Sequence, residues 1–179
     1  MSSQQMLDNE RRHLAGLLVA LQRCAWFLHQ SEGKIDWPLH GPFLEKHRKD
    51  VDLFETLAAI NERFAKLQDT LAAAMRHTAL LMSEPADSFL KVLVFYEKLG
   101  VLDSAELWQQ SRMARNMAAH DYETDYAIIA EHFNTLHQLS PMLYSTTQRL
   151  IVEVQARLAI SPENSDFQQE FDTLFPTSL

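Results

Sequence analysis

A single cysteine, Cys24, stands in 179 residues. An internal disulfide and a cysteine-built zinc cluster are therefore excluded, and a reducing cytoplasm is the expected compartment. Glycine (4) and proline (6) together make about 6% of the chain, roughly half of ordinary usage. Too few turn formers remain for the hairpins of an all-β fold. No apolar run approaches the ~20 residues of a membrane span; Val92-Leu93-Val94-Phe95-Tyr96 is among the longest. The start, Met1-Ser2-Ser3-Gln4-Gln5, has neither a basic segment nor an apolar block, so no secretory signal is expected.

Positive charge is also scarce, with 16 Lys and Arg against 24 Asp and Glu and a net charge of −8. A generic nucleic-acid coating protein would be basic, so any polyanion site has to be local and built from a few arginines. The imbalance is uneven: residues 1–50 carry 7 basic and 6 acidic side chains, residues 101–179 carry 4 and 11. The acidic C-terminal region reads as a solubilising surface or as a face for a basic partner. Several chemistry-bearing motifs are missing as well: His-Glu-x-x-His, a Gly-rich phosphate loop and Gly-x-Ser-x-Gly. Glu10-x-x-His13 has di-iron spacing, but no second such pair exists, and it reads as an exposed helical pair. No metal and no cofactor is expected.

What is present is helical periodicity, over a length that suits one domain. Residues 4–30 repeat Leu7, Leu14, Leu17, Leu18, Leu21, Ala25 and Leu28 at helical spacing. Gly33, Pro38, Gly41 and Pro42 break the pattern and predict a long connection over 31–50, with one helical turn near 42–48. Residues 51–82 form the strongest pattern: Leu57, Ile60, Phe64, Leu67, Leu71, Ala74, Thr78 and Leu81 step by three and four without interruption. A shorter apolar helix is predicted over 86–99, stopped by Gly100. Asp103 with Glu106 has capping-box spacing for a helix reaching about Ala118. Thr124 is a candidate cap for a last helical region through Val154, in which Ser140-Pro141 marks a kink or a restart. The expected architecture is an all-α, up-and-down bundle of four to five helices over residues 1–158, followed by an acidic tail over 159–179.

The segment Arg112-Met113-Ala114-Arg115-Asn116-Met117-Ala118-Ala119-His120-Asp121-Tyr122 is the most informative. It sets a permanent cation (Arg115), an amide (Asn116), a titratable imidazole (His120) and a phenol (Tyr122) within eight residues. On one continuous helix Arg115 and His120 would stand roughly 140° apart, so they converge only where the chain bends or ends between them. An Arg and a His at such a junction suffice for RNA phosphodiester cleavage. The guanidinium holds the phosphate and stabilises transition-state charge; the imidazole moves protons to or from the ribose 2′-OH and the leaving 5′-oxygen. A surface Arg–Asp pair with a capping His is the plain alternative. Arg-x4-His-x-Tyr arises by chance in roughly one chain in a hundred of this composition.

Arg115-Asn116-x3-His120-x-Tyr122 resembles the Arg-x4-His-x-Tyr signature of HepT-type proteins of the HEPN superfamily. The lead-in from Ser88-Phe89 through Lys98-Leu99-Gly100-Val101-Leu102 to Met113-Ala114-Arg115-Asn116 resembles that family too, and the likeness covers about residues 51–140. It implies a homodimeric HEPN-like bundle, cytoplasmic, in which two motifs share a cleft. It implies a metal-independent ribonuclease toxin of a toxin–antitoxin pair, silenced by a minimal nucleotidyltransferase antitoxin of the MNT type through AMPylation of the motif tyrosine. Carried over, Arg115 and His120 are the catalytic pair, Arg112 and Asn116 support RNA binding, and Tyr122 is the modification target. Other relatives are only the substrate-binding companion of such a nucleotidyltransferase, which leaves a non-catalytic partner subunit as the alternative. The chain departs from a compact member in the 31–50 connection, the stretch beyond 158 and the small Ala118-Ala119 before His120.

Remaining features read as structure. Cys24 beside Trp26-Phe27 is a packed thiol, His132 and His137 are surface or interface residues, and Lys46-His47-Arg48-Lys49 is a solvated loop.

Overall fold

The computed structural model describes residues 2–117, 124–162 and 166–176. Among the described residues the chain is all-helical, with seven helices and no strand. They are α1 (Ser3–Glu32), α2 (Gly41–Lys46), α3 (Val51–Leu81), α4 (Phe89–Lys98), α5 (Ala105–Met117), α6 (Tyr126–Leu158) and α7 (Gln168–Leu174). No helix among them is long and apolar enough to cross a membrane.

The broadest interface joins α1 and α3, which run antiparallel. His77 near the end of α3 reaches Glu10 near the start of α1, and Arg63 reaches Ser31 at the other end. The predicted stripes meet here: Leu14, Leu18, Leu21 and Leu28 against Leu57, Ile60, Phe64, Leu67 and Leu71, all essentially without exposure. Each such side chain stabilises the fold by about 1.5–3 kcal/mol. Leu136, Leu143, Leu150 and Val154 of α6 close the core from the third side.

The 31–50 connection is tied down rather than loose. Ile35, Leu39 and Leu44 are buried. The side chain of Asn134 on α6 accepts from the Leu39 N–H (2.7 Å) and donates to the Leu39 carbonyl (2.9 Å), as a neighbouring strand would. Gly41 lets α2 touch the first turn of α6, because a Cβ there would lie 2.9 Å from both Cα and N of Ala127. Gly41→Ala is therefore expected to cost about 1–3 kcal/mol, read as a lower urea midpoint with unchanged slope. The acidic C-terminal stretch also joins the body: Phe171 of α7 is buried, and α7 packs on α1.

Two cap expectations change. Ser104, not Asp103, caps α5: its hydroxyl accepts from the Leu107 N–H at 2.9 Å. Asp103 instead pairs with Arg149 of α6 at 2.5 Å. Asp125, not Thr124, caps α6, accepting from Ala127 N–H at 2.9 Å. In both places a better-placed acceptor one residue further on takes the orphan donor. At Ser140-Pro141, of the kink and the restart that the sequence allows, the restart is excluded. Ser140 is buried, its hydroxyl donates to the Leu136 carbonyl at 3.0 Å, and α6 continues. Burial of Leu136 and Leu143 on either side outweighs the one backbone bond that Pro141 removes. At Gly100 the left-handed backbone (φ 71°) ends α4 as its position predicts.

His132 on α6 meets Asn61 Oδ1 on α3 at 3.3 Å, and burial holds its imidazole below the ordinary range. The unfolded chain then takes up a proton more readily than the folded one. This contribution is fully present above the ordinary value of about 6.5 and is lost as pH falls through the lower folded value. Between pH 7 and 5 the wild-type urea midpoint is expected to fall more steeply than that of His132→Gln.

Candidate functional site: an arginine-lined groove

Helix α5 lies across the middle of α3, and the helical repeat sets Trp108, Ser111, Arg112 and Arg115 toward it. Trp108 and Ser111 are buried and fasten the helix. Gln68 of α3, itself buried, donates through Nε2 to Ser111 Oγ (2.5 Å) and to the Trp108 carbonyl (3.4 Å). Its Oε1 finds no hydrogen-bond partner among the described residues. Above this anchor the small side chains Ala72 and Ala73 leave a groove of about 310 Å³, closed at one end by Phe89 of α4.

Among the described residues three arginines line the groove, Arg76 from α3 and Arg112 and Arg115 from α5, with Asp69 as the one carboxylate. Arg76 is exposed and sits over the Phe89 ring at 5.3 Å, which aims the guanidinium without neutralising it. Arg112 is exposed, and among the described residues no carboxylate pairs with either of these two. Arg115 differs. Its side chain is only 18% exposed and is bound by the Asp69 carboxylate at 2.5 Å. It also donates to the Ala65 carbonyl at 3.2 Å and to Asn116 Oδ1 at 3.4 Å. It is a fixed fork at the groove edge, with two freer cations beyond it. Among the described residues the local charge is positive, in a chain whose net charge is −8.

Of the residues singled out by the sequence, Arg112 and Arg115 share this groove, and Asn116 is exposed beside Arg115. His120 and Tyr122 lie outside the described residues. Arg76, Asp69 and Gln68 escaped the sequence reading because they come from a helix forty residues upstream; the run Ala72-Ala73-Ala74 was the available sign of close approach. Among the described residues no group of three or more His, Cys, Asp or Glu side chains could hold a metal ion. Cys24 is half-buried, and burial pushes its thiol above the usual range. His137, read from the sequence as a surface or interface residue, stacks on Trp37 and meets the buried Glu32.

Such a groove suits a phosphate-bearing ligand. Guanidinium groups match phosphate oxygens bidentately, and a cluster of them concentrates polyanions despite an acidic surround. Asp69 competes for the same cation. Asp69→Asn is expected to tighten binding of a labelled oligoribonucleotide by roughly three- to tenfold in fluorescence anisotropy, with the gain shrinking as salt rises. Weaker binding would show that Asp69 serves to orient Arg115 instead.

The fold and groove together define a helical bundle with a cationic cleft beside α5. No family model matches this chain, and no curated protein sequence or solved structure does so either.

Proposed function

We propose that this chain is a metal-independent endoribonuclease, acting in the cytoplasm as a homodimeric HEPN-like toxin held in check by a minimal nucleotidyltransferase antitoxin. The observation that carries this reading is the groove: three guanidinium groups gathered on α3 and α5, the last of them just before the stretch that holds His120. Arg76 and Arg112 would track phosphates flanking the cut, and Arg115 would contact the scissile phosphate. His120 takes the proton of the ribose 2′-OH as that oxygen attacks phosphorus; the bond to the 5′-oxygen breaks, and that oxygen leaves with the proton handed on by the His120 imidazolium. A 2′,3′-cyclic phosphate and a 5′-hydroxyl result, with no redox change. At Tyr122 the antitoxin would join the phenol oxygen to the α-phosphorus of ATP with loss of pyrophosphate. The added bulk and negative charge would repel RNA from the arginines.

One observation favours the second reading, a non-catalytic companion subunit of a nucleotidyltransferase. Arg115 is already committed to Asp69 and to the Ala65 carbonyl, as a structural arginine would be. Labelled RNA incubated with the purified chain in EDTA separates the two. Cleavage to cyclic-phosphate ends upholds the ribonuclease. Intact RNA, together with binding that requires the nucleotidyltransferase, upholds the companion.

A further inference from the structure

The end of α1, the middle of α6 and the residue after α7 border a second cavity, open to solvent on one side and of about 380 Å³. At its base lies Glu32, only 5% exposed. A carboxylate is costly to bury and stays charged only when donors surround it. The Tyr144 hydroxyl donates to Oε2 at 2.6 Å, and His137 Nδ1 lies 3.2 Å from Oε1. Burial and the charge of Glu32 hold the Tyr144 phenol far above its ordinary range, so it remains a donor. Trp37 fixes the imidazole: its ring stacks on His137 at 4.2 Å and 5°, and its Nε1 donates to the Glu32 carbonyl at 2.9 Å.

Acceptor capacity is left over around Glu32 in this cavity. Each Glu32 oxygen keeps a further lone pair. Gln148 Nε2 gives one of its two N–H groups to the Phe175 carbonyl (2.9 Å), and its Oε1 remains as an acceptor. Pro141 has no N–H for the His137 carbonyl. Among the described residues no lysine or arginine lines the cavity, and its wall is aromatic: Tyr144 and Phe175 stack at 4.5 Å, with His29 edge-on to both. The buried carboxylate of Glu32 is among the groups that line this surface pocket.

We propose that this cavity binds a guanidinium or amidinium group, its N–H donors directed at Glu32 and its plane against the Tyr144–Phe175 wall. A planar cation suits both features, the carboxylate through paired hydrogen bonds and the rings through cation–π attraction. The site is separate from the arginine groove and does not depend on the ribonuclease reading.

Titration calorimetry on the full chain tests it with benzamidine hydrochloride, agmatine and the neutral isostere benzyl alcohol. Both cations are expected to bind once per chain, with benzyl alcohol weaker by about tenfold or more. Glu32→Gln is expected to bring benzamidinium down to the benzyl alcohol level. Proton NMR on the wild-type chain gives a readout that survives any folding defect in the variant. Benzamidinium is expected to move the imidazole signals of His29 and His137 and to leave those of His13 and His77, at the far end of α1, in place. An acetyl-Gly-Arg-Gly-amide arm separates a free cation from an arginine of another protein, and binding in either arm upholds the site. Absence of saturable cation binding, equal binding of benzyl alcohol, or shifts at His13 and His77 in place of His29 and His137 would overturn it.

Discussion

His120→Ala is expected to lower RNA cleavage by about 10²–10⁴-fold and to abolish growth arrest on expression. The magnitude follows from the task assigned to the imidazole. Without it, water has to take the 2′-OH proton, and the 5′-oxygen has to leave poorly protonated. Arg115→Ala is expected to lose about 10²–10³-fold. Arg115→Lys is expected to recover little, because a point charge replaces a fork that Asp69, Ala65 and Asn116 hold in place. The double variant should be scarcely worse than His120→Ala alone, since both groups act on one transition state. Rates are to be compared on proteins whose circular dichroism matches the wild type. Equal turnover by His120→Ala and wild type would remove the imidazole from the chemistry and leave the companion-subunit reading in its place.

The long helices were legible because their burial is one-sided. The stripe from Leu57 to Thr78 is nearly the stripe that α3 buries. The expected Gly100 stop has its positive φ. Caps were harder, because Asp103 and Ser104 are both good caps, and so are Thr124 and Asp125. Which of each pair is used depends on long-range partners such as Arg149, which a local pattern does not contain. Helices α2 and α7 are short, and their stability comes from single buried residues, Leu44 and Phe171, docked on longer helices. The groove was half legible. Arg112 and Arg115 fall on one face of α5 by spacing alone, whereas Arg76 joins them only through the docking of α5 on α3. The Glu32–His137–Tyr144 cluster was not legible: His137 and Tyr144 lie two turns apart on α6, but Glu32 joins them from α1, more than one hundred residues away.

Trp108→Ala is expected to destabilise the chain by about 3–5 kcal/mol. Trp108 is 1% exposed and fills the space beneath the groove, 6.0 Å from the Phe89 ring. Its backbone carbonyl takes part in the Gln68 contact that fastens α5 to α3. Removing the indole opens a cavity under a 13-residue helix whose other buried side chains, Ser111 and Ala114, are small. Little else can collapse into the space. For a chain of this size each kcal/mol moves the melting temperature by about 2–4 °C, so a fall of roughly 6–20 °C follows. Met113→Ala, on the exposed side of the same helix, should stay within about 0.5 kcal/mol of wild type and serves as the control. Anion binding should fail together with Trp108→Ala stability, because Arg112 and Arg115 reach Arg76 only while α5 is docked. A Trp108→Ala chain that melts with the wild type would mean that α5 does not rest on this indole. The three guanidinium groups would then have no common groove to share.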